Sequence, residues 1–395
     1  MTILRQIGAA RAPLVAFAGM GVMWGAYAAL IPDIKAVLGV NDAQFGSLIL
    51  ATPVAAVTTM LFAPKIAPKI GHHVLPLALL IFGVAFTLPG WMSAPLLFAL
   101  TMIGVGITNA FLDVTMNARV STIEVDRGMH LMNLNHAAYS FGYAGAAVLT
   151  GLARAAGWGP GMILTAMALA IVCLATLAVE GGHGVNGFER ERGSRARMGM
   201  VPLWGGLIAM IAFMSENAVE GWSALHIERT LHAAHGAGSF GPAVMALTMG
   251  IGRTVGQLVI ARLNEAKLMR WGTIIAAAGI AIVGMAPTPL VAYAGLVVTG
   301  LGGSVIAPTA FAMVGRLSNP AIRAQAIARA TALAYGGYFI GPPGLGFMSE
   351  FLGLRAALVA MAGVTLLVLV LFPRLVKAGQ RGEDHTTHEP VPGCA

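Results

Sequence analysis

Amide and carboxylate side chains recur at helical spacing within two apolar stretches of the sequence. Asn109, Asp113 and Asn117 follow one another at intervals of four residues, and so do Glu216 and Glu220. Residues four apart lie on the same face of an α-helix, so each set forms a polar stripe. Such a stripe is costly against an apolar environment, and its residues are candidates for solute binding when they face a cavity instead.

Three of these side chains, Asp113, Glu216 and Glu220, are candidates for binding and releasing a proton. A carboxyl group removed from water, or placed beside a like charge, holds its proton more tightly than in solution. His136 is a fourth candidate, because imidazole titrates near neutral pH. Simpler roles compete with this one: Asp113 could brace a helix contact, and Glu220 could be hydrated beside Trp222. His136, at the start of its stretch, could be structural.

Two arginines, Arg253 and Arg329, also lie within apolar stretches. A buried arginine needs an acidic partner or an anionic ligand. Asp113, Glu216 or a carboxylate of the solute would meet that need. The alternative for Arg329 is a side chain that extends into water from near the end of its stretch.

Five aromatic side chains with polar tips lie within apolar stretches instead of at their ends: Trp24, Tyr27, Tyr139, Tyr335 and Tyr338. Rings of this kind suit a sugar or another amphipathic solute. Packing against the abundant glycines is the alternative role. Together with both arginines and the two asparagines of the first stripe, these rings form the predicted solute-binding set.

The composition places these residues in a membrane protein. Of 395 residues, 57% are hydrophobic and 10% are charged, and the mean hydropathy is +0.79. A soluble domain carries about a quarter charged residues. Since a helix needs about 20 apolar residues to cross a bilayer, the sequence predicts an all-α polytopic membrane protein. About twelve transmembrane helices are expected near residues 13–31, 45–65, 73–91, 95–118, 131–152, 160–179, 202–222, 240–261, 272–287, 289–313, 326–348 and 354–373.

The basic residues alternate between loops as a twelve-span topology requires. With both termini in the cytoplasm, 18 of the 24 Lys and Arg residues fall in cytoplasmic segments. Four fall in external loops, namely Lys35, Arg154, Arg229 and Arg355. Positive charge concentrates on the cytoplasmic side of membrane proteins. Topology therefore accounts for the net charge of +8 without a nucleic-acid partner.

The two halves of the chain can be laid over each other with an offset near 195 residues, which matches Gly142 to Gly337 and, nearly, Lys69 to Arg262. Repeated six-helix halves place a solute site between them, near the middle of the bilayer. The sequence predicts four segments: an N-terminal half at 1–180, a cytoplasmic central loop at 181–200, a C-terminal half at 201–376 and a disordered cytoplasmic tail at 377–395.

Twelve spans, a basic central loop and a six-plus-six repeat resemble the major facilitator superfamily over nearly the whole chain. The family has a loop signature after its second span, Gly-x3-Asp-Arg/Lys-x-Gly-x-Arg/Lys-Arg/Lys. Lys69 and Gly71 fit it, but Pro68 stands in the Asp position. The second copy of the signature keeps Arg262 but has Ala261 in the Asp position. Both copies are degenerate.

A narrower resemblance rests on three segments: NAFLDVTMNA at 109–118, LNHAAYSFG at 134–142 and SENAVEGWSALHI at 215–227. They are similar to a little-characterised bacterial inner-membrane branch near the fucose permease-like carriers. That branch tends to have an acidic residue directly before the tryptophan. This chain has Gly221 there, with Glu220 one place earlier.

The resemblance implies a monomeric secondary transporter of the inner membrane, with spans one, four, seven and ten lining its cavity. Its partners would be the lipid bilayer, a small organic solute and, through the buried carboxylates, H+. Rocking of the two halves would move the solute by alternating access, as a symporter or an antiporter. A broad-specificity drug/proton antiporter of the same fold is the alternative. The 22 methionines favour this alternative, but the fifth span lacks the proline of the drug exporters.

Other classes of protein find no support in the sequence. An enzyme or an ATP-driven pump should show a motif such as His-Glu-x-x-His or Gly-x4-Gly-Lys-Ser/Thr, and the chain has neither. A channel is usually a shorter unit that assembles as a ring. Cys173 and Cys394 suggest neither a disulfide framework nor a metal site, so we expect no cofactor and no metal.

Overall fold

The structure, a computed structural model, describes residues 3–129, 131–180, 199–259, 264–319 and 322–386. These residues form α-helices joined by short turns, and no strand occurs among them. The helices are α1 (Ile3–Ala9), α2 (Arg11–Leu38), α3 (Asp42–Ile49), α4 (Ala51–Ile70), α5 (Val74–Thr87), α6 (Pro95–Arg127), α7 (Met132–Ala155), α8 (Pro160–Ala175), α9 (Val201–Leu225), α10 (Phe240–Val259), α11 (Glu265–Met285), α12 (Pro289–Gly303), α13 (Ile306–Leu317), α14 (Arg323–Ala334) and α15 (Gly336–Thr386).

Eight helical stretches of the described chain are long and apolar enough to cross a membrane. Two of them, Asp42–Trp91 with 50 residues and Gln325–Gln380 with 56 residues, are long enough for two crossings each. The more polar helices α7 and α10 supply the remaining two. The predicted all-α polytopic fold, with twelve transmembrane helices in two six-helix halves, is therefore confirmed.

Three predicted spans are each divided into two helices. Pro53 and Pro308 have no amide hydrogen for the carbonyl four residues earlier, and their rings crowd that carbonyl. Accordingly, α3 ends at Ile49, and α12 ends at Gly303. The third division lies at Tyr335, directly before two glycines, and it separates α14 from α15.

The last helix is longer than the sequence predicted. α15 turns at Gly353, whose φ of 79° suits glycine, and then continues to Thr386. The prediction of a disordered tail from residue 377 is therefore wrong for its first part. No proline interrupts the chain between Pro373 and Pro390, and Gly379 lies against the side chain of Leu317. The end of the tail, after Thr386, and the central loop at 181–198 lie outside the described residues.

Glycines that define the sequence repeat lie at equivalent helix crossings. A Cβ atom added to Gly142 of α7 would lie 2.5 Å from the carbonyl oxygen of Ala18 in α2. A Cβ atom added to Gly337 of α15 would clash in the same way with the carbonyl oxygen of Met210 in α9. Only a residue without a side chain permits such close backbone contact between membrane helices. The fifth helix of each half therefore packs against the first helix of that half in the same way.

The helix bundle has two ends, which we name by the residues found there. The terminal face carries Arg11 and Glu180 of the first half and Trp204 of the second, whose ring lies 5.2 Å from the Arg374 guanidinium. The opposite face carries Arg154, at the end of α7, and Glu228, in the helical turn that follows α9. The polar stripes of α6 and α9 lie between these two ends.

Candidate functional site

The polar stripe of α6 faces the interior of the bundle. The hydroxyl of Tyr335 donates a hydrogen bond to Asp113 Oδ2 at 2.8 Å, which links the second half to the first. Asn117 Nδ2 donates to Asp113 Oδ1 at 2.9 Å, and Trp24 Nε1 donates to Asn109 Oδ1 at 2.8 Å. Asp113 lies in the middle third of α6, which continues to Arg127, so it does not sit at a helix end.

The stripe of α9 contains an ion pair. Arg253 Nη2 of α10 lies 3.0 Å from Glu216 Oε1, and each side chain is 20% exposed. Of the two acidic partners predicted for Arg253, the structure therefore pairs it with Glu216. Beside Glu216 is a cavity of about 20 Å3, also lined by Ser215, Thr299 and Thr365. A cavity of this size can hold a water molecule but not a solute.

Glu220 lies one helical turn further along α9 and faces the other half of the protein. Tyr143 of α7 lies within electrostatic range of its carboxyl group. Tyr139, one turn from Tyr143, lies within electrostatic range of Glu216, Glu220 and Arg253. Carboxyl, guanidinium and phenol groups from both halves therefore meet in one cluster.

One alternative for Glu220 was a hydrated position beside Trp222. The surroundings of Trp222 do not fit that alternative. Its ring is 1% exposed and lies edge-on to Phe45 of α3, with centroids 6.2 Å apart. Its Nε1 donates to the carbonyl oxygen of Pro342 in α15 at 3.2 Å. Trp222 therefore packs between the two halves, on the side of the cluster that leads to the opposite face.

The predicted aromatic residues form two groups. Tyr335 and Tyr338 of the second half have centroids 5.4 Å apart, and Phe213 lies 5.3 Å from Tyr338. In the first half, Trp24 lies edge-on to Tyr27 at 5.7 Å. The Tyr27 hydroxyl is buried and has no hydrogen-bond partner among the described residues.

Other predicted residues lie at the margin of this cluster or apart from it. His136 packs edge-on against Phe17, with ring centroids 5.0 Å apart, and lies within electrostatic range of Arg253. Arg329 of α14 is exposed, and it forms no ion pair within the part of the chain that the structure describes. Its exposure agrees with the alternative of a side chain that extends away from the protein interior.

The residues of the loop signature do not contribute to the cluster. Lys69 is exposed at the end of α4 and forms no ion pair with a described residue. Gly71, two residues later, has a φ of +68°, a backbone conformation that residues other than glycine rarely adopt. Gly71 therefore serves the turn between α4 and α5. Arg262, the corresponding residue of the second copy, lies outside the described residues.

A network of ion pairs at the opposite face was not foreseen from the sequence. Arg154 of α7 is fully buried; its Nη2 lies 2.5 Å from Asp33 Oδ1, and its Nη1 lies 2.7 Å from Glu228 Oε1. Glu228 belongs to the second half, in a π-helical turn at His226–Thr230. It also accepts hydrogen bonds from the backbone amides of Gly236 and Gly238. Arg154 thus joins the two halves.

A second part of this network centres on Asp42, at the start of α3. Both of its oxygens accept hydrogen bonds from Arg229 at 2.7 Å, and Lys35 Nζ lies 2.9 Å from Oδ1. Ser349 of α15 donates to Asp42 Oδ2 at 2.5 Å. The sequence did hold a signal, since Lys35, Arg154 and Arg229 were among the few basic residues of the predicted external loops.

The terminal face differs in its pattern of ion pairs. Arg119 pairs with Glu180 at 2.7 Å within the first half, and Arg316 pairs with Glu265 within the second. Among the residues that the structure describes, no ion pair crosses between the halves at this face. Among the described residues, the ion pairs that join the two halves therefore lie at the opposite face.

Comparison with known protein sequences gives consistent results. Residues 205–392 match the sequence model described as Major Facilitator Superfamily. An uncharacterized MFS-type transporter of Yersinia pestis is 25% identical over 358 residues, which cover 90% of this chain and 91% of that protein. The membrane protein MosC of Rhizobium meliloti is 23% identical, with 88% of this chain and 85% of that protein covered.

Solved structures share the fold along nearly the whole chain. An inward-facing, occupied bacterial homologue of the human lysosomal transporter Spinster superposes with a TM-score of 0.75 at 13% identity, covering 100% of both chains. A D-xylose–proton symporter gives 0.72 at 13% identity over 93% of this chain and 96% of that one. A single-residue variant of the Escherichia coli fucose–proton symporter gives 0.62 at 16% identity, with 94% of this chain and 98% of that one covered.

Proposed function

We propose that this chain, which belongs to the major facilitator superfamily, is a proton-coupled secondary transporter of a small organic solute. The solute would bind between the halves, among the stripe of α6, the stripe of α9 and the aromatic side chains beside them. The chain is a polytopic membrane protein, and we place its terminal face in the cytoplasm because the basic residues concentrate there. Both termini would then be cytoplasmic, and the location that we propose is the inner membrane of a bacterium, where the protein would act as a single chain.

The position of Glu220 carries the proposal. It faces Tyr143 across the contact between the halves, and Glu216 lies one turn away. Glu216 has Arg253 as its cation, whereas Glu220 has no ion-pair partner among the described side chains. A partly buried carboxylate without an ion-pair partner is costly, and binding a proton removes that cost. We assign proton exchange first to Glu220 and solute contact to Asp113, Asn109 and the tyrosines.

Alternating access would use the network at the opposite face. The ion pairs Arg154–Glu228 and Asp42–Arg229 join the halves at that end, which supports the proposal that the structure is a state closed there and facing the cytoplasm. Return to the outward-facing state requires both pairs to break. Solute and proton binding at the central cluster would supply the difference in free energy between the two states.

A drug/proton antiporter is the second candidate, and one observation favours it. Phe213 lies 6.2 Å from Phe311 and 5.3 Å from Tyr338, so an apolar aromatic wall lies next to the polar cluster. Such a wall would suit a lipophilic cation as well as a sugar ring. A solute–proton symporter and a drug/proton antiporter predict opposite directions of proton movement during uptake into vesicles.

The test is proton movement in liposomes that contain a pH-sensitive dye. Sugars, nucleosides, organic anions and lipophilic cations are added in turn under a proton gradient, to the wild type and to Glu220→Gln, Glu216→Gln and Asp113→Asn. Glu265→Gln is the matched control, because Glu265 pairs with Arg316 at the terminal face, away from the cluster.

We expect solute-dependent proton movement in the wild type and in Glu265→Gln. We expect it to be lost in Glu220→Gln while exchange of labelled solute continues. If solute exchange proceeds in the wild type with no proton movement, proton coupling is wrong. If proton movement survives in Glu220→Gln and is lost in Glu216→Gln or Asp113→Asn, the assignment of the proton site is wrong.

A further inference from the structure

A second cavity lies at the terminal face, away from the central cluster. It has a volume of about 310 Å3 and lies between α1, the start of α2, the cytoplasmic end of α6 and the chain after α8. This volume is within the range of small-molecule sites. Arg11, Arg119, Arg127 and Glu180 supply its charged lining.

The charges of this cavity are not balanced. Glu180 is the single carboxylate of the lining, and Arg119 engages both of its oxygens, with Nε–Oε2 at 2.7 Å and Nη2–Oε1 at 3.1 Å. Arg11 Nη2 donates to a neutral acceptor, the carbonyl oxygen of Val179, at 2.6 Å. Arg127 has no ion pair with a described residue. Two of the three guanidinium groups therefore lack a negative partner among the described residues.

Nearby carboxylates do not supply the missing charge. Glu124 is one turn from Arg127 on α6, but its Oε1 accepts hydrogen bonds from the backbone amides of Leu131 and Met132. Asp126 is exposed and does not line the cavity. Several guanidinium groups converging on one space form the arrangement that recognises phosphate, because their planar forks bind its oxygens two at a time.

The position of the cavity indicates where such a phosphate would come from. Next to it, α1 carries Ile7, which is 43% exposed, and Arg5, which is also exposed. A short helix with an exposed apolar side chain and an exposed cation fits the boundary between a bilayer and water. Basic pockets between helices at the cytoplasmic side are suited to the headgroups of anionic lipids.

We infer that the cavity formed by Arg11, Arg119 and Arg127 binds a phosphate group, either the headgroup of an anionic phospholipid or a soluble phosphate ester. This site is separate from solute transport, and it rests on the proposed function only for the cytoplasmic orientation of the terminal face. Arg11 on α2 and Arg127 on α6 would contact the same phosphate and so fix α1 and α2 against α6. Arg119 holds Glu180 and so positions one wall of the cavity.

The test measures binding to the purified full-length protein in a zwitterionic detergent. Native mass spectrometry counts bound phosphatidylglycerol, with phosphatidylcholine as the neutral comparison, and thermal unfolding is followed with either lipid or with glycerol 3-phosphate. The variants are Arg127→Gln and Arg11→Gln. Lys267→Gln is the matched control, since it removes one exposed positive charge from the same face in the other half. Arg119 is left unchanged because its removal would leave Glu180 unpaired.

We expect phosphatidylglycerol to raise the Tm of the wild type and of Lys267→Gln. We expect half-saturation at about tenfold higher lipid in Arg127→Gln and Arg11→Gln, because each loses a charge-assisted bond to phosphate. The same pattern with glycerol 3-phosphate, and none with the lipid, would assign the site to a soluble ester. Equal binding of phosphatidylglycerol by the wild type and all three variants would mean a general attraction of the lipid to the charged face, and the proposed site would be wrong. The absence of binding of either phosphate compound to the wild type would also overturn the proposal.

Discussion

Arg154 and Glu228 form an ion pair between the two halves of the protein, with Nη1 and Oε1 2.7 Å apart and the arginine side chain fully buried. The same guanidinium binds Asp33 on its own half. A buried arginine held by two carboxylates is costly to separate from either one. In the proposed alternating-access cycle, the opposite face opens only when this contact is replaced, and the free energy of the pair contributes to the balance between the two states.

Replacing Glu228 by Gln should shift the protein toward opening at the opposite face. Gln keeps the size of the side chain but loses the charge, and a hydrogen bond to a charged group contributes about 1.5–3 kcal/mol. The open population should rise about tenfold or more. The reporter is Ala243→Cys, because Ala243 is 3% exposed and packs with Ala29 and Ala147 of the other half.

Labelling of this cysteine by a membrane-impermeant maleimide, in a background with Cys173 and Cys394 replaced by Ser, measures the shift. The rate from the side of the opposite face should rise in Glu228→Gln and stay at the parental value in Glu265→Gln. Equal rates in all three proteins would show that the Arg154–Glu228 pair does not control opening.

Replacing Gly142 by Ala should destabilise the protein. The new Cβ atom would lie 2.5 Å from the carbonyl oxygen of Ala18, so α7 and α2 must move apart. Overpacking of this kind costs about 1–3 kcal/mol. Gly145→Ala on the same helix is the control, because its Cβ atom meets no atom within 4 Å. Thermal unfolding should show a lower Tm for Gly142→Ala and no decrease for Gly145→Ala; a similar Tm for both would contradict the close crossing.

Much of this arrangement was predictable because it depends on local spacing. The stripe of α6 was expected to face the interior, and its Asp113 does accept a bond there from Tyr335. The divisions of the spans follow from Pro53 and Pro308 by the same local logic. The partner of Arg253 could not be chosen between Asp113 and Glu216, since the choice depends on how α6, α9 and α10 are placed against one another.

The network at the opposite face was missed for a related physical reason. Arg154, at the end of α7, and Glu228, in the π-helical turn after α9, are separated by 74 residues, and helical periodicity does not relate side chains on different helices. The basic residues of the predicted external loops were used only to assign each loop to one side of the membrane. That assignment depends on the number of positive charges and not on which residues they pair with. The available signal was that the loops with only four cations also hold four acidic residues, Asp33, Asp42, Glu228 and Glu350.

Replacing Tyr335 by Phe should weaken a bond that joins the two halves. Its hydroxyl donates to Asp113 at 2.8 Å, whereas the Tyr338 hydroxyl has no bond to Asp113. A double-mutant cycle with Asp113→Asn, followed by thermal unfolding, should give a coupling free energy of about 1–3 kcal/mol. The same cycle with Tyr338→Phe should give a value near zero. A coupling near zero for Tyr335 would mean that the bond contributes nothing to stability.

Removing one charge of the Arg253–Glu216 pair should destabilise the protein more than removing both charges. Arg253→Gln leaves Glu216 without its cation, 3.0 Å from where the guanidinium was. Breaking a buried pair costs about 3–5 kcal/mol, while replacing both charges by neutral groups is often close to neutral. Since each side chain is 20% exposed, we expect the lower end of that range. The single variant should have a markedly lower Tm, and Arg253→Gln combined with Glu216→Gln should recover most of the loss.

A double variant as unstable as Arg253→Gln would contradict this prediction. It would show that Arg253 stabilises the fold through contacts other than Glu216. Glu216 would then be as free as Glu220 to exchange a proton.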